Sequence, residues 1–118
     1  MLNSAAMLNI LEEGGTGVLT LAESLNEEEF FSSRLTKGEV LRHLRTMAET
    51  AENLGREVKA QMPEIDWAGW GLLRSKLKDP VDPDRDAIWF GVSSLVPATL
   101  LWLRLYKKNL PELFEFKP

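Results

Sequence analysis

The chain has 118 residues, 44% of them hydrophobic and 27% charged, with a formal net charge of −4. Such values describe one globular domain able to bury a core, and the excess of acids argues against broad electrostatic binding to nucleic acid. Zero cysteines and a single histidine, His43, exclude disulfides, thiolate chemistry and multi-histidine metal sites, so no metal or other cofactor is expected. No apolar run reads as long enough to span a bilayer, and the N-terminus lacks the basic and apolar regions of a secretory signal, so the expectation is a cytoplasmic protein without membrane contact.

From Ser4 to Leu25 the apolar residues Met7, Leu11, Val18, Leu21 and Leu25 recur at three- and four-residue steps, with Gly14 filling the remaining slot of the stripe, which predicts a first helix. Gly14, Gly15 and Gly17 weaken it by about 1 kcal/mol each relative to alanine, so it kinks or frays there unless another element packs closely. A phosphate-binding loop is a poor reading of these glycines, because no strand precedes them and no Gly-Lys-Ser/Thr closes them. Asn26 is placed to cap a short helix, NEEEFFSSR, with three glutamates at the positive end of its dipole. Thr36 to Glu39 reads as a capping box opening the strongest helix of the chain. Its apolar seam is Val40, Leu44, Met47, Ala51, Leu54 and Val58. The opposite face carries Arg42, Arg45, Glu49, Glu52 and Arg56, where Arg45 with Glu49 and Glu52 with Arg56 stand one turn apart and predict a solvated, ion-paired surface. His43 lies at the edge of the seam, the place of a partly buried structural histidine.

Pro63 is expected to stop that helix, and Asp66 to Leu77 to form the next one. Trp67, Trp70 and Leu73 fall on one face of it, a spacing that suits a core better than a base-stacking platform. Arg74, Lys76 and Lys78 make a small basic spur at its end, where cations are favoured. The turn that follows, with Pro80, Pro83 and the acids Asp79, Asp82, Asp84 and Asp86, is rigid and polar. An acid near Asp84 starts the final helix, which runs to about Tyr106. Ile88, Val92, Leu95, Val96, Thr99, Leu103 and Tyr106 mark one face, and Phe90, Pro97 and Leu101 mark another. A helix apolar on two sides needs cover on two sides, either inside the bundle or from a second copy of the chain. Pro97 predicts a kink. The tail, with Leu110, Leu113, Phe114 and Phe116, is expected to return across the helices.

These features in this order, with NEEEFFSSRLTKGEVLRHL, Met47 to Ala51, MPEIDWAGWGLLRSKL and then DAIW, resemble the HepT-like proteins of the HEPN superfamily over roughly Met7 to Tyr106. The resemblance implies a homodimer and a metal-independent ribonuclease that acts as the toxin of a toxin-antitoxin pair. It also implies a minimal nucleotidyltransferase partner that silences the toxin by transferring AMP to a tyrosine. The family motif is an arginine, four to six residues, then His-x-Tyr. Arg74 matches the arginine, but Asp79 stands at the histidine position and Val81 at the tyrosine position. A carboxylate near its ordinary pKa is a poor proton donor at neutral pH, and valine accepts no AMP.

The sequence therefore predicts a single all-α domain over residues 1–118, an antiparallel bundle of four to five helices of HEPN type. Val40, Leu44, Met47, Leu54, Val92, Leu95 and Leu103 should lie in its core, and the last helix with the one before it should mediate self-association. The functional expectation is a non-catalytic dimeric partner of a minimal nucleotidyltransferase. The alternative is a ribonuclease toxin with an altered site, in which Arg74 works with Asp79 or His43 as base on RNA.

Overall fold

Sequence periodicity puts most of the chain into helices, and the computed structural model agrees: it describes residues 3–115, with no strand among them. Helix α1 spans Ser4–Ala22 and is capped by Asn3, whose side-chain oxygen accepts the Ala6 N–H at 2.8 Å. The glycines do not break it. Gly14 and Gly15 are buried, and a Cβ on Gly14 would stand 2.7 Å from Met47 Cγ, so their bareness is what lets α1 lie against the long helix. That close approach offsets the helix propensity they forfeit. The buried stripe is Ala5, Leu8, Leu11, Gly14, Gly15 and Val18; Leu11, Gly14 and Val18 match the predicted stripe, whereas Met7 is only half-buried and Leu21 exposed. The helix also stops short of Leu25, because Ser24 turns the chain with φ 65°, a left-handed exit.

Helix α2, Glu27–Ser32, carries the capping box of the chain: the Asn26 side chain accepts from Glu29 N–H at 2.8 Å, and the Glu29 carboxylate accepts from Asn26 N–H at 3.0 Å. Phe30 is buried beneath it. Helix α3, Arg34–Asn53, begins after a single intervening residue, Ser33, ahead of the predicted start, so the box predicted at Thr36 is absent. The Ser33 carbonyl already accepts from Lys37 N–H, and Thr36 lies inside the first turn. Val40, Leu44, Met47, Ala48 and Ala51 form its buried face. The helix ends before Pro63 is reached, because Leu54 turns to an extended ψ of 138° ahead of Gly55. Val58 consequently sits in a separate short helix, α4, Arg56–Ala60.

Helix α5, Trp67–Lys76, starts under Asp66, whose carboxylate accepts from Gly69 N–H at 2.8 Å. Trp70 is buried, and its indole N–H donates to Thr99 Oγ1 at 2.9 Å; half-buried Trp67 donates to the Met62 carbonyl at 3.0 Å. Asp84 caps α6, Arg85–Phe90, which runs on through a π-helical turn, Gly91–Leu95, into α7, Val96–Asn109. The disturbance expected at Pro97 falls on the turn before it. Proline has no N–H, and its ring collides with the carbonyl four residues back in a regular helix. Here the backbone has widened, and Val96 N–H reaches Gly91 O, five residues back.

Helix α3 lies between α1 and α5, α1 also meets α7, and α6 returns to α5, so the layers close on themselves. All seven predicted core residues are buried. A 3₁₀ turn, Pro111–Phe114, lies against α1 and α7, with Leu113 and Phe114 partly buried; Phe116 lies outside the described residues. One sequence expectation needs correction: the helical rod Arg85–Asn109 contains an 18-residue window of mean hydropathy 1.4, so by length and composition alone it is apolar enough to cross a membrane. The sequence reading counted unbroken apolar stretches and missed it. Some 44% of that window is buried inside the fold.

Candidate functional site

The face predicted to be a solvated, ion-paired surface is exposed at Arg42, Glu49, Glu52 and Arg56, and Arg42 pairs within α3 with Glu39 at 2.9 Å. Arg45 and Glu52, however, turn to α5 and its end. A helix C-terminus leaves carbonyls without intrahelical donors and carries partial negative charge, so it attracts a cation. Arg45 supplies one. Its guanidinium donates to Leu77 O at 3.3 and 3.4 Å and to Asp79 O at 2.9 Å. Glu52 likewise turns across to α5 and pairs with Arg74, so neither of the two predicted pairs within α3 occurs among the described residues. An α-helical pair contributes only a few tenths of a kcal/mol, and the bare carbonyls of a neighbouring helix outcompete it.

Between these helices lies an open cleft of about 270 Å³, lined by Arg45, Ala48, Glu49, Arg74, Leu77 and Lys78. Three cations face Glu49, with Glu52 behind Arg74. The sequence singled out Arg74 but missed Arg45 and Glu49 as its neighbours. Their shared stripe with Glu52, at three- and four-residue steps, was visible; its partner, some thirty residues ahead in the chain, was not.

Asp79 follows directly, but its carboxylate is turned to its own loop. Oδ1 accepts from Val81 N–H and Asp82 N–H, both at 2.9 Å. The amides of Asp82 and then Val81 hold this carboxyl below the usual carboxylate range. Lowering the pKa weakens Asp79 as a base and leaves it no proton to donate at neutral pH. Val81 projects at the loop tip, 89% exposed, at the rim of a second cavity with Phe31, Lys37 and Arg85. There the Arg85 guanidinium stacks 4.0 Å from the Phe31 ring centre.

His43 does not reach the cleft. Its half-buried imidazole rests on Gly17 of α1, where a Cβ would come within 2.9 Å of Nε2. The cleft therefore holds positive charge for an anionic group but places no histidine, hydroxyl or free carboxylate of a motif residue beside Arg74. Among the described residues no cluster of His, Asp and Glu is arranged to hold a metal ion. No family model matches the chain, and no solved structure matches its fold.

Proposed function

We propose that this chain is a HepT-like protein of the HEPN type that acts by binding, as the dimeric partner of a minimal nucleotidyltransferase in a toxin-antitoxin type module. The all-helical fold supports the reading. So do the capped Glu-Glu-Phe helix and the Asp66-capped helix that carries Arg74 in its last turn. One observation carries the non-catalytic part. At the three motif positions stand an arginine paired with Glu52, an aspartate bound to its own loop amides, and an exposed valine. Loss of a general acid-base group lowers a rate by about 10²- to 10⁴-fold, too much for an efficient nuclease to survive.

The test is cleavage of RNA by wild type beside Arg74→Ala and His43→Ala, with chelator present to silence contaminating metal nucleases. The wild type should cut no faster than either variant, and a nucleotidyltransferase, identified by mass spectrometry, should copurify with the chain from its own host. Robust cutting abolished by Arg74→Ala would establish the ribonuclease instead.

A further inference from the structure

The face of the α6–α7 rod turned away from the core is apolar or small along its middle. Phe90, Ser94, Ala98, Leu101 and Leu105 are exposed and follow at three- and four-residue steps, with half-buried Pro97 beside them. Leu101 is 67% exposed, and Leu72, across on α5, 62%. Asp86 precedes this strip and Lys108 follows it, both exposed. At the Asp86 end a groove of about 280 Å³ opens between α5 and α6, lined by Gly69, Leu72, Ala87 and Phe90 and by the charged Lys76, Asp84 and Asp86, of which Lys76 lies 3.9 Å from Asp84. An uncharged face of this length, on the longest helical rod of the fold, is the pattern of an interface.

We propose that the face binds a second copy of the chain, rod against antiparallel rod, about a two-fold axis between Pro97 and Ala98. The residues themselves fix this arrangement. On such an axis each position meets the one equally far on the other side. Reading outward, Pro97 meets Ala98, Ser94 meets Leu101, Phe90 meets Leu105, and Asp86 comes within reach of Lys108. Small residues thus lie opposite large ones, and the acid opposite the base. Leu105 of each copy enters the groove beside Phe90 of the other. A parallel pair would set Asp86 against Asp86, and a register shifted by one turn would lay Lys108 over the groove floor.

Magnitudes say how much of the molecule takes part. From Asp86 to Lys108 the rod is roughly 33 Å long, and at a helix width of about 10 Å it presents a strip on the order of 350 Å². A stable interface buries about 800 Å² per partner. The rods alone fall short, so Leu72 and the α5–α6 groove belong to the contact. The expected dimer is reversible, dissociating in the micromolar range. This inference deepens the dimeric part of the reading above and rests on it, but needs no nucleotidyltransferase.

Sedimentation of the purified chain between about 1 and 100 µM, with variants and cysteine cross-linking, tests it. Leu101→Asp should raise the dissociation constant at least tenfold while leaving the far-UV spectrum unchanged, because Leu101 is exposed. Asp86→Lys and Lys108→Asp should each weaken the dimer, and combining them should restore it. Because the chain has no cysteine, Ala98→Cys should form an interchain disulfide under mild oxidant, which requires Cα atoms within about 7 Å. Leu35→Cys, exposed on α3, should not. A monomer at 100 µM overturns both this inference and the dimeric reading. A dimer indifferent to Leu101→Asp, or one cross-linked through residue 35 and not 98, overturns this arrangement alone.

Discussion

Trp70→Ala is expected to remove about half or more of the stability of the fold. Trp70 is 1% exposed, and its indole donates to Thr99, itself 1% exposed. Emptying a buried tryptophan site costs about 3–5 kcal/mol, and leaving a buried hydroxyl without its partner adds about 1–3. Domains of this size are stable by only about 5–15 kcal/mol. Urea denaturation followed by far-UV dichroism should therefore show a collapsed midpoint or no folded baseline. Trp70→Phe separates the two contributions, since it keeps most of the ring and loses the donor. Combined with Thr99→Val, it should cost less than the two single changes added, because both polar groups are then removed together. A midpoint close to that of wild type for Trp70→Ala would mean that α5 does not dock on α7 through this residue.

Arg45→Ala and Arg74→Ala should part company, although both arginines line the same cleft. Arg45 is half-buried and donates to the Leu77 and Asp79 carbonyls, so its loss should destabilise the fold by about 2 kcal/mol, the usual scale for hydrogen bonds from a charged donor. Arg74 pairs with Glu52 at the surface, the two side chains being 39% and 57% exposed. Such a pair contributes at most about 1 kcal/mol, so Arg74→Ala should leave the denaturation midpoint nearly in place. The turn from Leu77 to Asp84 should also become protease-sensitive in Arg45→Ala alone. The reverse order of stabilities would make Arg74 the structural member of the cleft and Arg45 the dispensable one. The expected order makes Arg74, paired with Glu52 at the surface, the member of the cleft that the fold can spare.

What could be read from the sequence followed from local chemistry. The Trp67–Trp70–Leu73 spacing foretold the inner face of α5, on which Trp70 and Leu73 are buried and Trp67 half-buried, and the Val40–Leu44–Met47 seam foretold the core, because periodicity reports burial directly. The errors have equally local causes. In α1 the periodic stripe through Leu11, Gly14 and Val18 is the buried one, but its flanks differ: Leu8 and Gly15 are buried where the pattern continues through Met7 and Leu21, because Gly15 carries no side chain to mark its face. The long helix ends at Leu54, well before Pro63, because Leu54 turns extended and buries its side chain there. The partners of Arg45 and Glu52 lie on another helix, beyond the reach of any spacing rule. Nor could the binding of the Asp79 carboxylate by the amides of Val81 and Asp82 be read, since it depends on the loop's backbone shape.

The widened turn at Gly91–Leu95 has a consequence for how the molecule opens. Gly91 lies under Leu44 and Leu73, so the first half of the rod belongs to the α3–α5 side, while α7 rests on α1 and the tail. Where the regular ladder of amide bonds is interrupted, cooperativity along the rod is interrupted too, and local opening proceeds in contiguous units set by packing. The longest helical stretch of the fold is thus two mechanical pieces joined at an articulation. Native-state hydrogen exchange should report them as two separate protection levels with a dip at Ser93–Val96, whereas one uniform level from Arg85 to Asn109 would show that the turn transmits rather than divides.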